Sequence, residues 1–170
     1  MRILTGLKVC LGSKSITDAR RDYRWQKDAE LMAFSGNEPL NESFLEYLAQ
    51  SVISPSNKQD MEIFSIRTRQ GNRHIGNCAI YEINRTEGEA QLGISIGERD
   101  YWGKGYGEDA INTLSAYAFR ELGLLRLRLK TLRDNTRAQR CFEKCGFKPC
   151  GMLLHQGRYY VQMEHNHTNE

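Results

Sequence analysis

Long apolar runs, a signal sequence and a disulfide pattern are all missing from this chain of 170 residues. None of its apolar stretches approaches the roughly 20 residues that span a bilayer. Lys8 interrupts the N-terminal segment before it could form the apolar centre of a cleavable signal. The 5 cysteines are an odd number, which gives no disulfide framework and suits a reducing compartment. These absences predict a soluble, cytoplasmic protein that does not associate with membranes.

Metal-ligand patterns, repeats and linkers are also absent from the sequence. Cys141 and Cys145 share a predicted helix face, but no second Cys/His pair completes a zinc site. His165 and His167 lie in a polar tail that we expect to be frayed. The length suits one folded unit with a substantial core. The sequence therefore predicts a single domain over residues 1–170 and no bound metal.

The net charge of +3 is small but unevenly distributed. Residues 120–148 carry nine Lys/Arg against three acids, whereas residues 15–50 carry seven acids against four Lys/Arg. A basic cluster is typical of nucleic-acid-binding proteins, but here the basic residues alternate with leucine and no aromatic stacking platform accompanies them. This argues against a nucleic-acid partner, and a solvated surface is the plain alternative interpretation of both charge runs.

The hydrophobic patterns alternate between strand-like and helix-like segments. They predict an α/β fold with a mixed, twisted sheet of about six to seven strands flanked by about four helices. A loop is expected at 55–58. The predicted strands are 7–11, 62–69, 74–83, 89–96, 126–132, 147–154 and 158–163. The predicted helices are 17–34, with a break near Lys27, then 41–53, 108–123 and 136–145.

Residues 99–108 carry the strongest functional signal. Gly103, Gly105 and Gly107 stand at alternate positions between a strand-like run and a helical run. A strand, a glycine turn and a helix N-terminus present unpaired backbone N–H groups, together with the positive end of the helix dipole. The spacing is neither that of a P-loop nor that of a dinucleotide fingerprint. The segment therefore predicts a binding site for another kind of phosphate-bearing ligand.

A second informative segment covers residues 134–147. Thr136 and Gln139 have the spacing of a capping box, which predicts a helix start. Its buried stripe is expected to consist of Ala138, Phe142 and Cys145. Gly146 then ends the helix.

The two segments taken together resemble the GNAT superfamily of acetyl-CoA-dependent N-acetyltransferases. The shared order is strand, Gly-x-Gly-x-Gly turn, helix, strand, Asn-x-x-Ala, helix and Gly-Phe. Within the superfamily the sequence is most similar to the Rim-type branch, which includes ribosomal-protein alanine acetyltransferases and spermidine acetyltransferases. Residues 17–25 look like that branch's first helix, and residues 74–80 look like its third strand. The resemblance implies a GNAT-like fold and direct attack of an amine on the acetyl thioester, without a metal.

The resemblance also implies where acetyl-CoA would bind. The glycine turn would anchor the pyrophosphate, and the strand before it would pair with the pantetheine arm and polarise the thioester oxygen. Asn135 would hydrogen-bond the arm or an ordered water near the thiol, and Arg140 could reach a phosphate. The basic C-terminal half would then screen the phosphates. The expected contacts are Ile94, Ser95, Ile96, Trp102, Gly103, Lys104, Gly105, Tyr106, Gly107, Glu108, Asn135 and Arg140.

Two positions depart from the family pattern. Phe142 stands where relatives often carry the tyrosine that protonates the departing thiolate, and Gln91 stands where many carry a glutamate base. The candidate catalytic residues are therefore Asn135, Cys141 and Glu89. Other candidate proton carriers are a water chain and the side chains of Glu82, His74 and Tyr159.

Three functional classes stay open at the level of sequence. The leading one is a working N-acetyltransferase, the second an acyl-CoA-binding pseudoenzyme or sensor, and the third a nucleic-acid-binding module that uses the basic strand. The acceptor could be a protein α-amine, a polyamine or a small amine. We expect it between the first helices and the last hairpin, near Tyr159 and Tyr160, facing Asp22, Asp28 and Glu30. A homodimer is one of the arrangements that the sequence allows.

Overall fold

The computed structural model describes residues 2–53 and 60–168, within which the chain forms eight β-strands and five α-helices. The strands are β1 (Ile3–Thr5), β2 (Val9–Ser13), β3 (Met61–Thr68), β4 (His74–Asn84), β5 (Glu89–Ile96), β6 (Arg126–Leu132), β7 (Lys148–His155) and β8 (Arg158–Asn166). The helices are α1 (Ala19–Lys27), α2 (Ala29–Ser35), α3 (Phe44–Ile53), α4 (Tyr106–Arg120) and α5 (Thr136–Lys144). The loop predicted at 55–58 lies outside the described residues.

The strands form one mixed sheet in the order β1-β2-β3-β4-β5-β6-β8-β7. Only β5 and β6 run parallel, joined by the crossover helix α4, whereas every other neighbouring pair is antiparallel. The predicted α/β class and mixed sheet are confirmed, with eight strands and five helices among the described residues instead of about six to seven strands and about four helices. The prediction missed β1 because three residues are too few for alternation to reveal a strand.

Two helix boundaries are set by side-chain caps. The break expected near Lys27 falls at Asp28, whose extended backbone ends α1 and whose Oδ1 accepts the Glu30 and Leu31 N–H groups that open α2. Helix α3 begins at Phe44 instead of residue 41. Ser43 and Glu46 hydrogen-bond reciprocally there, in the pattern of a capping box.

The hydrophobic core lies between one face of the sheet, called here the inner face, and the helices α4 and α5. Ile111 and Leu114 of α4 pack against fully buried strand residues such as Ile66 and Leu127. On the opposite, outer face α1 approaches β4, where Asn77 donates a hydrogen bond to Asp22. Among the described residues, no helix is both long and apolar enough to span a bilayer.

The C-terminal strand extends further than the sequence predicts. β8 continues to Asn166, so the expectation of a frayed tail is wrong for His165. The His165 ring packs edge-on against Phe119 and Phe147, with centroid distances of 5.1 and 5.2 Å. Burial lowers the pKa of His165, which favours the neutral ring in this apolar contact.

Candidate active site

The parallel strands β5 and β6 separate partway along their length. They pair only at Glu89, Ala90 and Gln91, opposite three residues of β6, although both strands continue well beyond that point. Among the described residues, the edge of β5 that faces β6 therefore has no strand partner from Leu92 to Ile96. Unpaired backbone groups along such an edge can bind an extended chain as an added strand. This gap, called here the fork, contains the predicted pantetheine contacts Ile94, Ser95 and Ile96.

The glycine turn (residues 103–107) leads from the open end of the fork into α4. Gly103 and Gly105 have φ values of 66° and 82°, a left-handed conformation that favours glycine. Gly105 is the N-cap of α4 and supplies no side-chain acceptor. Consequently the N–H groups of Gly107 and Glu108 have no acceptor in the described part of the chain. These groups and the helix dipole form a seat for an anion.

An ammonium group that sequence reasoning missed lies beside this anion seat. Lys8 Nζ donates to the Lys104 carbonyl at 2.7 Å and lies 5.4 Å from the centroid of the Tyr106 ring. Asp109 holds the Lys8 segment in place, because its carboxylate accepts the N–H groups of Leu7, Lys8 and Val9 at 2.7–3.0 Å. No sequence motif signals a contact between residues so far apart along the chain.

Trp102 joins the end of β5 to the glycine turn. Its indole N–H donates to the Ile96 carbonyl at 2.7 Å, and the Arg137 guanidinium lies 3.9 Å from its ring centroid. Phe34 of α2 contacts the same indole edge-on at 5.7 Å. By contrast, the predicted phosphate contact Arg140 is exposed and makes no hydrogen bond or ion pair with the described residues. Arg137 is therefore the better-positioned cation at this end of the fork.

Asn135 connects two helices at the mouth of the fork. Its Oδ1 accepts the Ala138 N–H, and its Nδ2 donates to the Phe34 carbonyl, both at 3.2 Å. Asn135 is therefore the N-cap of α5, and the capping box predicted from Thr136 and Gln139 is wrong. Gln139 instead donates to backbone carbonyls of the preceding loop. The Asn135 amide keeps one free N–H and one free lone pair for a ligand.

Cys141 lies against the same helix terminus. Its Sγ is 4.0 Å from where a Cβ on Gly107 would stand, and the neighbouring thiol of Cys145 donates to the Glu108 carbonyl at 3.7 Å. When the single S–H of Cys145 turns from the Glu108 carbonyl to the Cys141 sulfur, that hydrogen bond lowers the pKa of Cys141, and the charges of Lys144 and Arg137 act in the same direction. The same coupling raises the pKa of Cys145. The thiolate character of this pair is therefore concentrated on Cys141.

A pocket of about 420 Å³ opens on the outer face of the sheet, beginning where the fork begins. Gln91 and Arg128, the last paired residues of the two parallel strands, both line it. Glu82 reaches it from a β-bulge in β4, where its φ is 52°. Other lining side chains come from β6, β7 and β8. This space is called the outer pocket.

A GNAT acetyltransferase domain model matches residues 9–148. This chain belongs to the GNAT family of acetyltransferases. These enzymes use acetyl-CoA as co-substrate, and acetyl-CoA is a phosphate-bearing ligand of the kind that the glycine turn predicts.

Two relatives and one solved structure illustrate the similarity. The chain is 30% identical to the spermidine N(1)-acetyltransferase of Vibrio cholerae over 148 residues, 84% of this chain and 82% of that one. It is 26% identical to an uncharacterized N-acetyltransferase, p20, of Bacillus licheniformis over 154 residues, 90% and 86% of the two chains. A crystal structure of the Vibrio cholerae spermidine N-acetyltransferase in complex with CoA and spermine superposes with a TM-score of 0.79, at 26% identity, covering 92% of this chain and 94% of that one.

Phe142 and Gln91, the two residues that depart from the family pattern, lie in different surroundings. Phe142 is only 8% exposed and packs edge-on against Phe147 at 5.9 Å, so it fills the core. Gln91 lines the outer pocket and is half-buried. Neither side chain can carry a proton at neutral pH.

Several predicted proton carriers lie away from the open fork. Glu89 begins β5 at the closed end, and its carboxylate lies 3.7 Å from Arg126 and 3.5 Å from Arg128. His74 is fully buried between Asn77 and the Trp25 ring. A side chain without contact to the cleft cannot take a proton from a bound amine, so His74 is not a candidate base.

The three carboxylates expected to face the acceptor are all paired with cations of this chain, and the prediction is wrong for Asp22, which is buried. Asp22 is 2% exposed and is paired with Lys14 at 2.7 Å. Arg99 forms two hydrogen bonds to Asp28, which lowers the pKa of that carboxyl to about 2. Arg99 also pairs with Glu30 at 2.7 Å.

The two tyrosines expected near the acceptor differ in accessibility. Tyr160 is buried, and its hydroxyl packs so closely on Gly36 that a Cβ there would lie 2.2 Å away. Tyr159 is 52% exposed and lies beneath the Arg133 guanidinium. Only Tyr159 is therefore available to a ligand.

Proposed function

We propose that this GNAT enzyme transfers the acetyl group of acetyl-CoA to a primary amine, with the donor held in the fork. The observation that carries the proposal is the continuity of two features: an unpaired edge of β5 and, directly after it, helix N–H groups without acceptors. The first suits the amide-rich arm of the donor, and the second suits its pyrophosphate. The enzyme class is fixed by family membership, whereas the residues and the acceptor are the proposal.

The donor contacts follow from this arrangement. The N–H groups of residues 103–108 would bind the pyrophosphate, with Lys8 and Arg137 adding positive charge on either side. The edge from Ile94 to Ile96 would pair with the pantetheine arm. A backbone N–H of this edge, aimed at the thioester oxygen, would stabilise the negative charge that develops there.

The transfer itself requires two proton movements. The amine nitrogen attacks the thioester carbon, a C–N bond forms, and the C–S bond breaks when the tetrahedral intermediate collapses. The nitrogen loses a proton and the sulfur gains one. Since neither Phe142 nor Gln91 can transfer a proton, we assign both proton transfers to ordered water. The free N–H of Asn135 would orient that water near the sulfur, and Cys141 is the alternative proton donor.

The identity to a spermidine N(1)-acetyltransferase supports placing this enzyme in the Rim-type branch. That relative's name concerns a polyamine, and the Vibrio cholerae structure contains spermine. For this chain we propose the broader class of primary amines. A single domain over residues 1–170, a cytoplasmic location and a homodimer stay predictions.

The test compares two matched glycine variants. Gly103 and Gly123 have nearly the same left-handed φ, 66° and 68°, and a Cβ at either position would meet no atom within 4 Å. Gly103→Ala and Gly123→Ala should therefore lose similar stability, about 1 kcal/mol each. Only Gly103→Ala should weaken acetyl-CoA binding, by about tenfold, because its new methyl group would obstruct phosphate approach.

The readouts are calorimetric titration with acetyl-CoA and release of free thiol in the presence of primary amines. Equal acetyl-CoA affinity in the two folded variants would contradict the anion seat. Binding without turnover on any amine would instead indicate the acyl-CoA sensor.

A further inference from the structure

We propose that the acceptor is a small amine that also carries a carboxylate, and that it binds in the outer pocket. The inference rests on the proposed function and specifies its acceptor. It starts from two side chains of opposite charge that line one pocket, Glu82 and Lys130. Both side chains are exposed. Among the described residues, neither forms an ion pair or a hydrogen bond with a charged group.

The other charged groups of the outer pocket already have ion-pair partners within the protein. Arg128 lies 3.5 Å from Glu89, and Glu164 lies 3.9 Å from Arg126. Lys130, one pleat further along the same face, stands opposite the uncharged Gln162. Its ammonium lies 5.6 Å from the ring centroid of Tyr160. The pocket thus keeps one cation available for a ligand.

A bulge in β4 places Glu82 in the pocket. Ile80 and Ile83 are both buried, so Tyr81 and Glu82 between them both lie on the outer side. The register with β5 shifts at this point, and Glu82 adopts a left-handed φ that is rare for a non-glycine residue. Bulges that redirect a side chain occur often next to active sites. Without this bulge, strand alternation would direct Glu82 toward the core.

The two free charges lie on either side of the start of the fork. Glu82 belongs to β4 and Lys130 to β6, with β5 and Gln91 between them, so at least two strand spacings, roughly 10 Å, separate their backbones across the sheet. Lys130 is two residues beyond the last paired residue, Arg128, so it borders the gap itself. An ammonium near Glu82 and a carboxylate near Lys130 would span the entrance to the thioester.

The balance of charge argues against a polycation. The pocket contains two carboxylates, Glu82 and Glu164, and two cations, Arg128 and Lys130. A polyamine would gain little from such a site and would be repelled by Lys130. A volume of about 420 Å³ also suits a small molecule more than a folded protein's N-terminal segment.

The first experiment compares three amines of similar length at saturating acetyl-CoA: pentylamine, 1,5-diaminopentane and 5-aminopentanoate. We expect 5-aminopentanoate to have the highest kcat/KM, about tenfold above pentylamine, which is the ratio typical of one charge-assisted contact. The diamine should not exceed pentylamine. A preference for 1,5-diaminopentane would overturn the assignment, and so would a preference for an acidic octapeptide over 5-aminopentanoate.

The second experiment reverses the charge. Lys130→Glu should move the preference from 5-aminopentanoate to 1,5-diaminopentane, a gain that misfolding cannot produce. Lys130→Met should lower the 5-aminopentanoate to pentylamine ratio about tenfold through KM. Lys27→Met is the matched control, because that ammonium also lies over a tyrosine ring, at 5.5 Å, but on α1 and outside the pocket lining, and it should leave the ratio unchanged.

The failure of this inference differs from the failure of the proposed function. If acetyl-CoA binds but no primary amine of any kind is acetylated, both fail; if other primary amines are acetylated but none of these three is, only the acceptor class is wrong. If the amines are acetylated in another order, or if Lys130→Glu leaves the order as it was, only the acceptor class is wrong.

Discussion

The two sides of the fork are built from different kinds of contact. In the proposed donor site the backbone N–H groups come from one continuous segment, residues 103–108, which leads into a helix that the core holds in place. The outer pocket uses side chains from β4, β5, β6, β7 and β8. Backbone donors are the same for any residue type except proline. The donor site can therefore persist while the acceptor site changes by single substitutions.

The largest effect on stability is expected from Asp109, the single carboxylate that holds the Lys8 segment on the donor side. Asp109→Ala would remove the acceptor of three backbone N–H groups and release the segment that carries Lys8. We expect a loss of about 2–4 kcal/mol in the free energy of unfolding. Denaturant titration measures it. Asp134→Ala is the control, because that side chain is 99% exposed and its loss should cost less than about 0.5 kcal/mol.

A milder substitution tests whether the donor side can be weakened without affecting amine binding and without unfolding the protein. Lys8→Met should weaken acetyl-CoA binding about tenfold, as expected for the loss of one cation beside a pyrophosphate. The KM for the amine should not change, because Lys8 lies at the glycine turn. Lys27→Met is a matched control, since that ammonium also lies over a tyrosine ring, at 5.5 Å, but on α1. If Lys8→Met raised the amine KM alone, the assignment of the two sides would be reversed.

The contrast between a site made from one continuous segment and a site made from side chains of several strands also explains which features the sequence could predict. The glycine turn and the start of α5 at Thr136 depend on neighbouring residues, so local patterns identify them. The cap was assigned to Thr136 instead of Asn135 because both residue types are good caps, and only the three-dimensional position decides.

The features that the sequence could not predict join distant parts of the chain. The position of Lys8 depends on Asp109, about 100 residues away. The sequence predicts that the carboxylates of residues 15–50 face a ligand. It does so because their partners, Lys14 for Asp22 and Arg99 for Asp28, cannot be identified from spacing alone. The bulge at Glu82 lies inside a run that reads as an uninterrupted strand. Composition and periodicity therefore indicate the donor side and leave the acceptor side open.

The smallest expected effect is a change in the labelling rates of two cysteines, one on each side of the fork. Cys141 lies beside the anion seat, and Cys150 lines the outer pocket. Since the pKa of Cys141 is lowered, iodoacetamide should label it faster than an unperturbed thiol of the same accessibility, and the reaction should slow as the pH falls. Acetyl-CoA at three times its Kd should slow labelling of Cys141 about fourfold, the ratio set by the unoccupied fraction.

Cys150 is the internal control in the same sample, with both sites quantified by mass spectrometry. Acetyl-CoA should leave its labelling unchanged, because it lies on the outer face. 5-Aminopentanoate at three times its KM should give the opposite pattern, with slower labelling of Cys150 and no change at Cys141. Protection of both cysteines by acetyl-CoA alone would mean that the donor reaches through the fork to the outer face. The outer pocket would then bind part of the coenzyme, and the acceptor would have to approach from the α2 side, past Phe34 and Asn135.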